Sequence, residues 1–155
     1  MSYNGSLTAE QFLFYEMRIL SKQYLEQKSM EEILASIKRD NLFQYPTERM
    51  VRRIARACYK RLVALDNEKL VYEVANAPVE VAKQINLYAM MRYNRLAREF
   101  MEGLIGEKYR QQDFSYTKKD INVFFSRLQE QNDDVAAWSE QTIKKLKQVL
   151  TKCLV

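Results

Sequence analysis

At 155 residues, the chain is long enough for one domain with a substantial core and short for two. Its 47% hydrophobic and 29% charged residues are typical of globular proteins, and only 3 Gly and 2 Pro argue against a turn-rich sandwich or barrel. No apolar run approaches the ~18 residues that cross a membrane, and the N-terminus lacks a signal-peptide pattern, so we expect a soluble, cytoplasmic protein without membrane contact.

Apolar residues recur at helical spacing along nearly the whole chain, and hydroxyl side chains mark several helix starts. In chain order, the predicted helices cover residues 9–27, 29–40, 47–65, 66–76, 79–91, 92–109, 117–128 and 139–154. The predicted N-caps are Thr8 with Gln11, Ser29 with Glu32, Thr117 with Asp120, and Ser139. The pattern therefore predicts an all-α protein, a single domain over residues 1–155 built as a compact bundle of about seven or eight helices.

Two segments carry more detailed expectations. Residues 79–91 are apolar around most of the helix circumference, with Pro78 at the start, so we expect this helix at the centre of the fold. Gly103 and Gly106 lie three residues apart in an otherwise helical stretch, and we expect a helix break there.

The residues that most often carry catalysis are scarce. His is absent, which removes the commonest general base and the commonest metal ligand. Cys58 and Cys153 are far apart and fit neither a zinc pattern nor a disulfide framework, so we expect two small buried residues in a reducing compartment. No Walker loop, paired-carboxylate constellation or Ser nucleophile motif is present. We expect no enzymatic activity, no metal and no cofactor.

The positive charge is concentrated in two short segments. The net charge of the chain is +5, yet residues 46–65 alone carry +5 and residues 138–155 carry +3, while the remainder is slightly acidic. Segregation of this kind favours a phosphate-binding surface over ordinary solubility, which would spread the charge.

The third predicted helix places its cations on one side. Four of them fall within about 60° at ~100° per residue, with a fifth beside them, and we name these five the cationic stripe: Arg49, Arg52, Arg53, Arg56 and Lys60. Arg binds phosphate bidentately and reads the guanine edge in the major groove, so the stripe predicts contact with nucleic acid. Two alternatives stay open: a solvated face neutralised by acids elsewhere in the fold, and docking onto an acidic protein surface.

Two further features bear on this interface. Residues 29–65 resemble a helix-turn-helix, although the connection of about six residues exceeds the usual 3–4, which favours backbone contact over sequence reading. Lys144, Lys145 and Lys147 on the last helix spread over a wider arc and predict a weaker second nucleic-acid site, with an ordinary solvated face as the alternative.

Three segments make the chain as a whole resemble the BrxA family of BREX bacteriophage-exclusion systems. They are the opening Tyr3–Thr8, the turn Asn41–Phe43 leading into Arg52–Arg56, and the closing Trp138–Leu146. The resemblance covers essentially all 155 residues, and members are expected to continue some tens of residues past the last segment.

The resemblance implies a fold similar to the antitermination factor NusB, no enzymatic activity, and DNA binding in support of a phage-defence complex with other BREX proteins. It carries no catalytic residue to transfer. An adaptor role within that complex and RNA binding, as in NusB-like proteins, remain the alternative functions.

Overall fold

The computed structural model describes residues 2–154, and all regular structure in that range is helical. The α-helices are α1 (Phe14–Leu25), α2 (Met30–Asp40), α3 (Glu48–Leu65), α4 (Glu68–Asn76), α5 (Val79–Tyr93), α6 (Arg95–Glu99), α7 (Gly106–Arg110), α8 (Lys118–Gln131), α9 (Asp133–Ala136) and α10 (Glu140–Lys152). Seven of these helices exceed five residues. The all-α prediction is therefore confirmed.

Contacts divide the chain into two compact units. The central unit is Phe12–Tyr93, and the terminal unit joins Met1–Gln11 to Asn94–Val155. The single-domain organisation predicted for residues 1–155 stays a prediction. None of the helices within residues 2–154 combines the length and the apolar character that crossing a bilayer requires.

The core of the central unit is organised around α3. This helix packs against α1, α2 and α5, while α4 packs against α1 and α5. Its buried face supplies Val51, Ile54, Cys58, Leu62 and Leu65 to the core. Each large apolar side chain buried in this way contributes about 1.5–3 kcal/mol, so the position of α3 is firmly fixed. The expected burial of Cys58 is confirmed.

The terminal unit brings the start of the chain onto its last helix. A 3-10 turn (Ser6–Thr8) packs against α10 and buries Leu7. The core of this unit also contains Phe100, Phe125 and Leu146. Cys153, which we expected to be buried, is only partly covered because it follows the end of α10.

Three of the four predicted N-caps, Ser29, Thr117 and Ser139, lie at helix starts in the structure. Ser29 and Glu32 form a reciprocal capping box, and at the start of α8 the Asp120 carboxylate accepts hydrogen bonds from the N–H and the hydroxyl of Thr117. Thr47 and Ser139 each accept a hydrogen bond from the backbone N–H three residues ahead, at 3.2 Å and 3.1 Å. These interactions satisfy amide groups that a helix leaves unpaired at its start, which is why α2, α3, α8 and α10 begin where the sequence predicts.

The first helix starts later than predicted, so the N-cap assigned to Thr8 is wrong. The Thr8 hydroxyl donates to the Gly5 carbonyl, and α1 begins only at Phe14, after Leu13 in the left-handed region (φ 56°). The Phe12 carbonyl accepts hydrogen bonds from Arg61 Nη1 at 3.3 Å and from Asn86 Nδ2 at 2.8 Å. Long-range bonds to one carbonyl therefore hold the chain out of a helix there.

The central position predicted for residues 79–91 is also wrong. The buried stripe of α5 consists of Ala82, Asn86, Ala89 and Met90, and it packs against α3 and α4. Val79, Val81 and Tyr88 are 49%, 43% and 43% exposed. The sequence of α5 is evenly apolar because apolar side chains lie on its exposed side as well as on its buried side. The buried side itself contains one polar residue, Asn86.

The glycine pair does not break its helix, contrary to the prediction. Helix α6 continues through a π-helical segment (Phe100–Ile105) into α7. At Gly106 a Cβ atom would lie 3.1 Å from the Met101 carbonyl oxygen, so the close backbone approach in the wider turn favours glycine. The actual interruption lies earlier, where Asn94 caps α6 by accepting a hydrogen bond from the Ala97 N–H.

Candidate nucleic-acid interface

The connection between α2 and α3 sets the start of the basic helix. Asn41 and Gln44 both adopt left-handed backbone conformations, with φ of 45° and 57°. Phe43 is buried between them, and its ring meets that of Tyr45 edge to face. The Tyr45 hydroxyl in turn donates a hydrogen bond to the Glu16 carboxylate on α1. The connection is therefore tied into the core, and α3 begins at a fixed place.

All five members of the cationic stripe are exposed. The apolar face of α3 turns toward the core, which leaves the side chains of Arg49, Arg52, Arg53, Arg56 and Lys60 in solvent. The five residues thus lie on the solvent side of one helix, and their role as a binding site stays a prediction. From Arg49 to Lys60 the stripe extends about 16 Å at 1.5 Å per residue.

Among residues 2–154, no acidic side chain pairs directly with the cationic stripe. Within residues 2–154, none of its five members forms an ion pair or a side-chain hydrogen bond with another residue. The one acidic residue next to them in sequence, Glu48, instead lies 3.9 Å from Lys38 Nζ on α2. Across the described residues, direct ion pairs between the stripe and acids elsewhere in the fold are therefore not formed. The mutual repulsion of the cations in the stripe favours an anionic ligand.

A sixth basic residue of α3 has a structural role. Arg61 is 1% exposed and donates a hydrogen bond to the Phe12 carbonyl. Charge in the sequence segment 46–65 is therefore divided between an exposed set and one buried guanidinium that supports the start of α1.

The arrangement of α2 and α3 keeps part of the helix-turn-helix pattern. The two helices pack against each other, with α3 carrying the exposed cations. Seven residues, 41–47, separate them, which is longer than the 3–4-residue turn of the DNA-binding motif. The exposed face of α3 suits contact with phosphates, which requires only positioned cations and no fixed helix-pair angle.

The lysines of α10 have different surroundings. Lys144 and Lys145 are exposed, whereas Lys147 is partly covered, with its Nζ 5.8 Å from the centre of the Phe125 ring. Lys144 and Lys147 border a surface groove of 430 Å³ that Lys145 does not line. The structure therefore does not place the three residues of the predicted second site in one common environment.

This groove was missed by sequence reasoning. It is lined by α8, α10 and Tyr116, which precedes α8, so its parts are about 30 residues apart in sequence. The one local signal was the spacing of Lys144, Lys147 and Lys152 on a helix. In the described part of the chain, no group of three or more Cys, Asp or Glu side chains is arranged to hold a metal ion.

Comparison with known proteins gives a consistent result. The family model described as BrxA matches residues 1–155 of this chain. The chain is also 33% identical over 156 residues to a BREX protein BrxA of Bacillus cereus (strain H3081.97). That similarity covers 98% of this chain and 76% of the longer relative.

Proposed function

The chain belongs to the BrxA family, and we propose that it serves as a non-enzymatic DNA-binding accessory of a BREX phage-defence system. The relative's name, BREX protein BrxA, supports the system and implies other BREX proteins as partners. In this proposal the protein acts by binding alone. It does so in the cytoplasm, where it encounters phage DNA.

One observation carries the DNA-binding part of the proposal. The cationic stripe presents five exposed cations, four of them Arg, on one side of α3, and acidic side chains of the described residues do not pair with them. Double-stranded DNA carries one negative charge per about 1.7 Å of helix axis, so a 16 Å stripe can meet several phosphates at once.

The stripe suits phosphates in chemistry as well as in charge. Each guanidinium donates a planar pair of hydrogen bonds that matches two phosphate oxygens. Such contacts position a protein on the duplex without reading its sequence. Binding to DNA of any sequence is the expected behaviour. The weaker second DNA site predicted at Lys144, Lys145 and Lys147 stays a prediction, and this proposal does not depend on it.

The test is duplex binding by two variants of equal charge. Arg49→Ala/Arg53→Ala/Arg56→Ala removes three cations from the stripe. The matched control, Lys22→Ala/Lys69→Ala/Lys83→Ala, removes three exposed cations of the central unit that lie outside α3. With about 1 kcal/mol for each lost charge-assisted contact, we expect the stripe variant to bind a labelled random-sequence duplex about 100-fold more weakly.

The control is expected to stay within about threefold of wild type, because distant surface charge acts only through a screened field. Far-UV circular dichroism checks that both variants remain folded. Equal losses in both variants, or no wild-type binding at low salt, would contradict the proposal. An RNA duplex of the same sequence that binds more tightly than DNA would favour the RNA-binding alternative.

A further inference from the structure

The groove on the terminal unit combines apolar and cationic chemistry. Its lining includes Ile121, which is 4% exposed, and the partly buried ring of Tyr116. Four lysines also line it, and we name the whole feature the lysine groove: Lys118, Lys144, Lys147 and Lys152. No Asp or Glu is among the lining residues.

The groove is held open by contacts within the terminal unit. The Tyr116 hydroxyl lies 2.9 Å from Thr151 Oγ1, which joins the segment before α8 to the last turns of α10. Lys147, which also lines the groove, places its Nζ 5.8 Å from the centre of the Phe125 ring of α8, so this contact joins α10 to α8. These contacts fix the groove before any ligand arrives, which reduces the ordering cost of binding.

The charge of the groove selects an acidic ligand. Within residues 2–154, none of the four lysines forms an ion pair. The nearest acid on α8, Asp120, lies 3.3 Å from Lys108 Nζ and is hydrogen-bonded to Thr117, so it is engaged elsewhere. An occupant with carboxylates at its sides and apolar groups at its centre would pair with both parts of the groove.

The dimensions suit a helix. From Lys144 to Lys152 the groove follows α10 for about 12 Å, which is slightly more than two helical turns. An amphipathic helix laid in such a groove inserts apolar residues at i, i+3 or i+4, and i+7, and keeps its charged residues at the rim. We propose that the lysine groove is the docking site for an acidic amphipathic helix of a partner protein.

A nucleic acid fits this surface less well than a protein helix. A phosphate backbone would pair with the lysines but leave the apolar floor without a matching group, whereas an amphipathic helix buries it. Lysine also acts as a point charge and lacks the planar fork that matches phosphate bidentately. The proposal concerns the terminal unit and does not depend on DNA binding by the stripe.

The probe is a fluorescein-labelled acidic peptide of about 16 residues, long enough to form a helix, with Leu at helical spacing and Glu and Ala elsewhere. A scrambled peptide of identical composition is the second probe, and a random DNA duplex is the competitor. We expect the patterned peptide to bind the full chain, and the scrambled peptide to bind at least tenfold more weakly. The duplex should not displace the peptide.

Three charge reversals locate the site. Lys144→Glu/Lys147→Glu should weaken the binding of the patterned peptide at least tenfold. Lys144→Glu/Lys152→Glu, which changes exposed lysines only, should do the same and guards against a folding defect at Lys147. Lys145→Glu, on the same helix but outside the groove, should change binding by less than threefold.

Three results would overturn the proposal: no binding of the patterned peptide, an equal loss from the Lys145 variant, or equal affinity for the scrambled peptide. Displacement of the peptide by the duplex would assign the groove to nucleic acid. If the lysine-groove proposal is wrong, the expected DNA binding of the stripe variants does not change. Each proposal can therefore be rejected independently of the other.

Discussion

Helices α3 and α10 are similar in sequence pattern but differ in the surface that surrounds their basic side chains. Each begins at a hydroxyl N-cap, buries one apolar face, and carries excess positive charge. On α3 the five cations of the stripe are exposed to solvent, whereas on α10 Lys144 and Lys147 border a partly apolar groove. In our two proposals, excess positive charge therefore serves two kinds of ligand, and the neighbouring surface distinguishes them.

The type of exposed basic residue also differs between the two helices. Four of the five members of the stripe are Arg, while all cations of α10 are Lys. Arg donates in a rigid planar fork that matches phosphate, and Lys offers a flexible point charge on an apolar stem that can cover a groove wall. Residue type and surroundings point to the same assignment for each helix.

The largest effect on stability should come from the one buried cation of α3. Replacing Arg61 by Ala leaves a cavity in the core and removes a hydrogen bond to the Phe12 carbonyl. We expect Arg61→Ala to lower the free energy of unfolding by about 3 kcal/mol. Urea denaturation followed by circular dichroism measures this value.

Arg56 provides the matched comparison on the same helix. It is exposed, so Arg56→Ala should change the free energy of unfolding by less than about 0.5 kcal/mol while weakening DNA binding. If Arg56→Ala destabilises the protein as much as Arg61→Ala, the division of α3 into a binding set and a structural residue is wrong.

A smaller effect should come from the N-caps, which the two helices share. Thr47→Ala removes the acceptor for the Met50 N–H, and Ser139→Ala removes the acceptor for the Thr142 N–H. Each substitution should cost about 1 kcal/mol in thermal or urea unfolding. The corresponding Thr→Ser change at position 47 keeps the oxygen and should cost much less. A Ser variant as unstable as the Ala variant would assign the effect to something other than the cap.

The smallest effect concerns a tyrosine–glutamate hydrogen bond in each unit. Burial, followed by the hydrogen bond to Glu99 and the charge of that carboxylate, raises the pKa of Tyr3 to about 12. Burial and the Glu16 carboxylate likewise raise the pKa of Tyr45. Both phenols therefore stay protonated, and can donate their hydrogen bonds, at pH values above 10, the ordinary pKa of tyrosine.

A raised pKa in the folded state gives these bonds a defined pH dependence. Their contribution to stability is complete below pH 10, and that of Tyr3 is lost as pH rises from 10 through about 12. In a titration followed at 295 nm, the two phenols should ionise well above pH 10, the ordinary pKa of tyrosine. Tyr3→Phe and Tyr45→Phe should each remove one component that ionises in this high range. Ionisation of Tyr3 near pH 10 would contradict the assigned hydrogen bond.

Sequence reasoning succeeded where the information was local. The cap at Ser29 depends on Glu32 three residues away, and the cationic stripe follows from the period of a single helix. It failed where residues that are distant in the sequence determine the local structure. The start of α1 is set by Arg61 and Asn86, which reach the Phe12 carbonyl from 49 and 74 residues away. The apolar side of the lysine groove required Tyr116 and Ile121 to meet α10, which no local pattern of lysines indicates.

The most direct test of the central claim is the salt dependence of duplex binding between 50 and 200 mM. About five phosphate contacts give a slope of log affinity against log salt near −4.5, which is roughly a 500-fold loss across that range. Arg49→Ala/Arg53→Ala/Arg56→Ala should reduce the slope to about −1.8. Lys144→Ala/Lys145→Ala/Lys147→Ala should change it by less than about 1. A wild-type slope shallower than about −1, or an equal change from both triple variants, would contradict the account of α3 as the DNA-contacting helix.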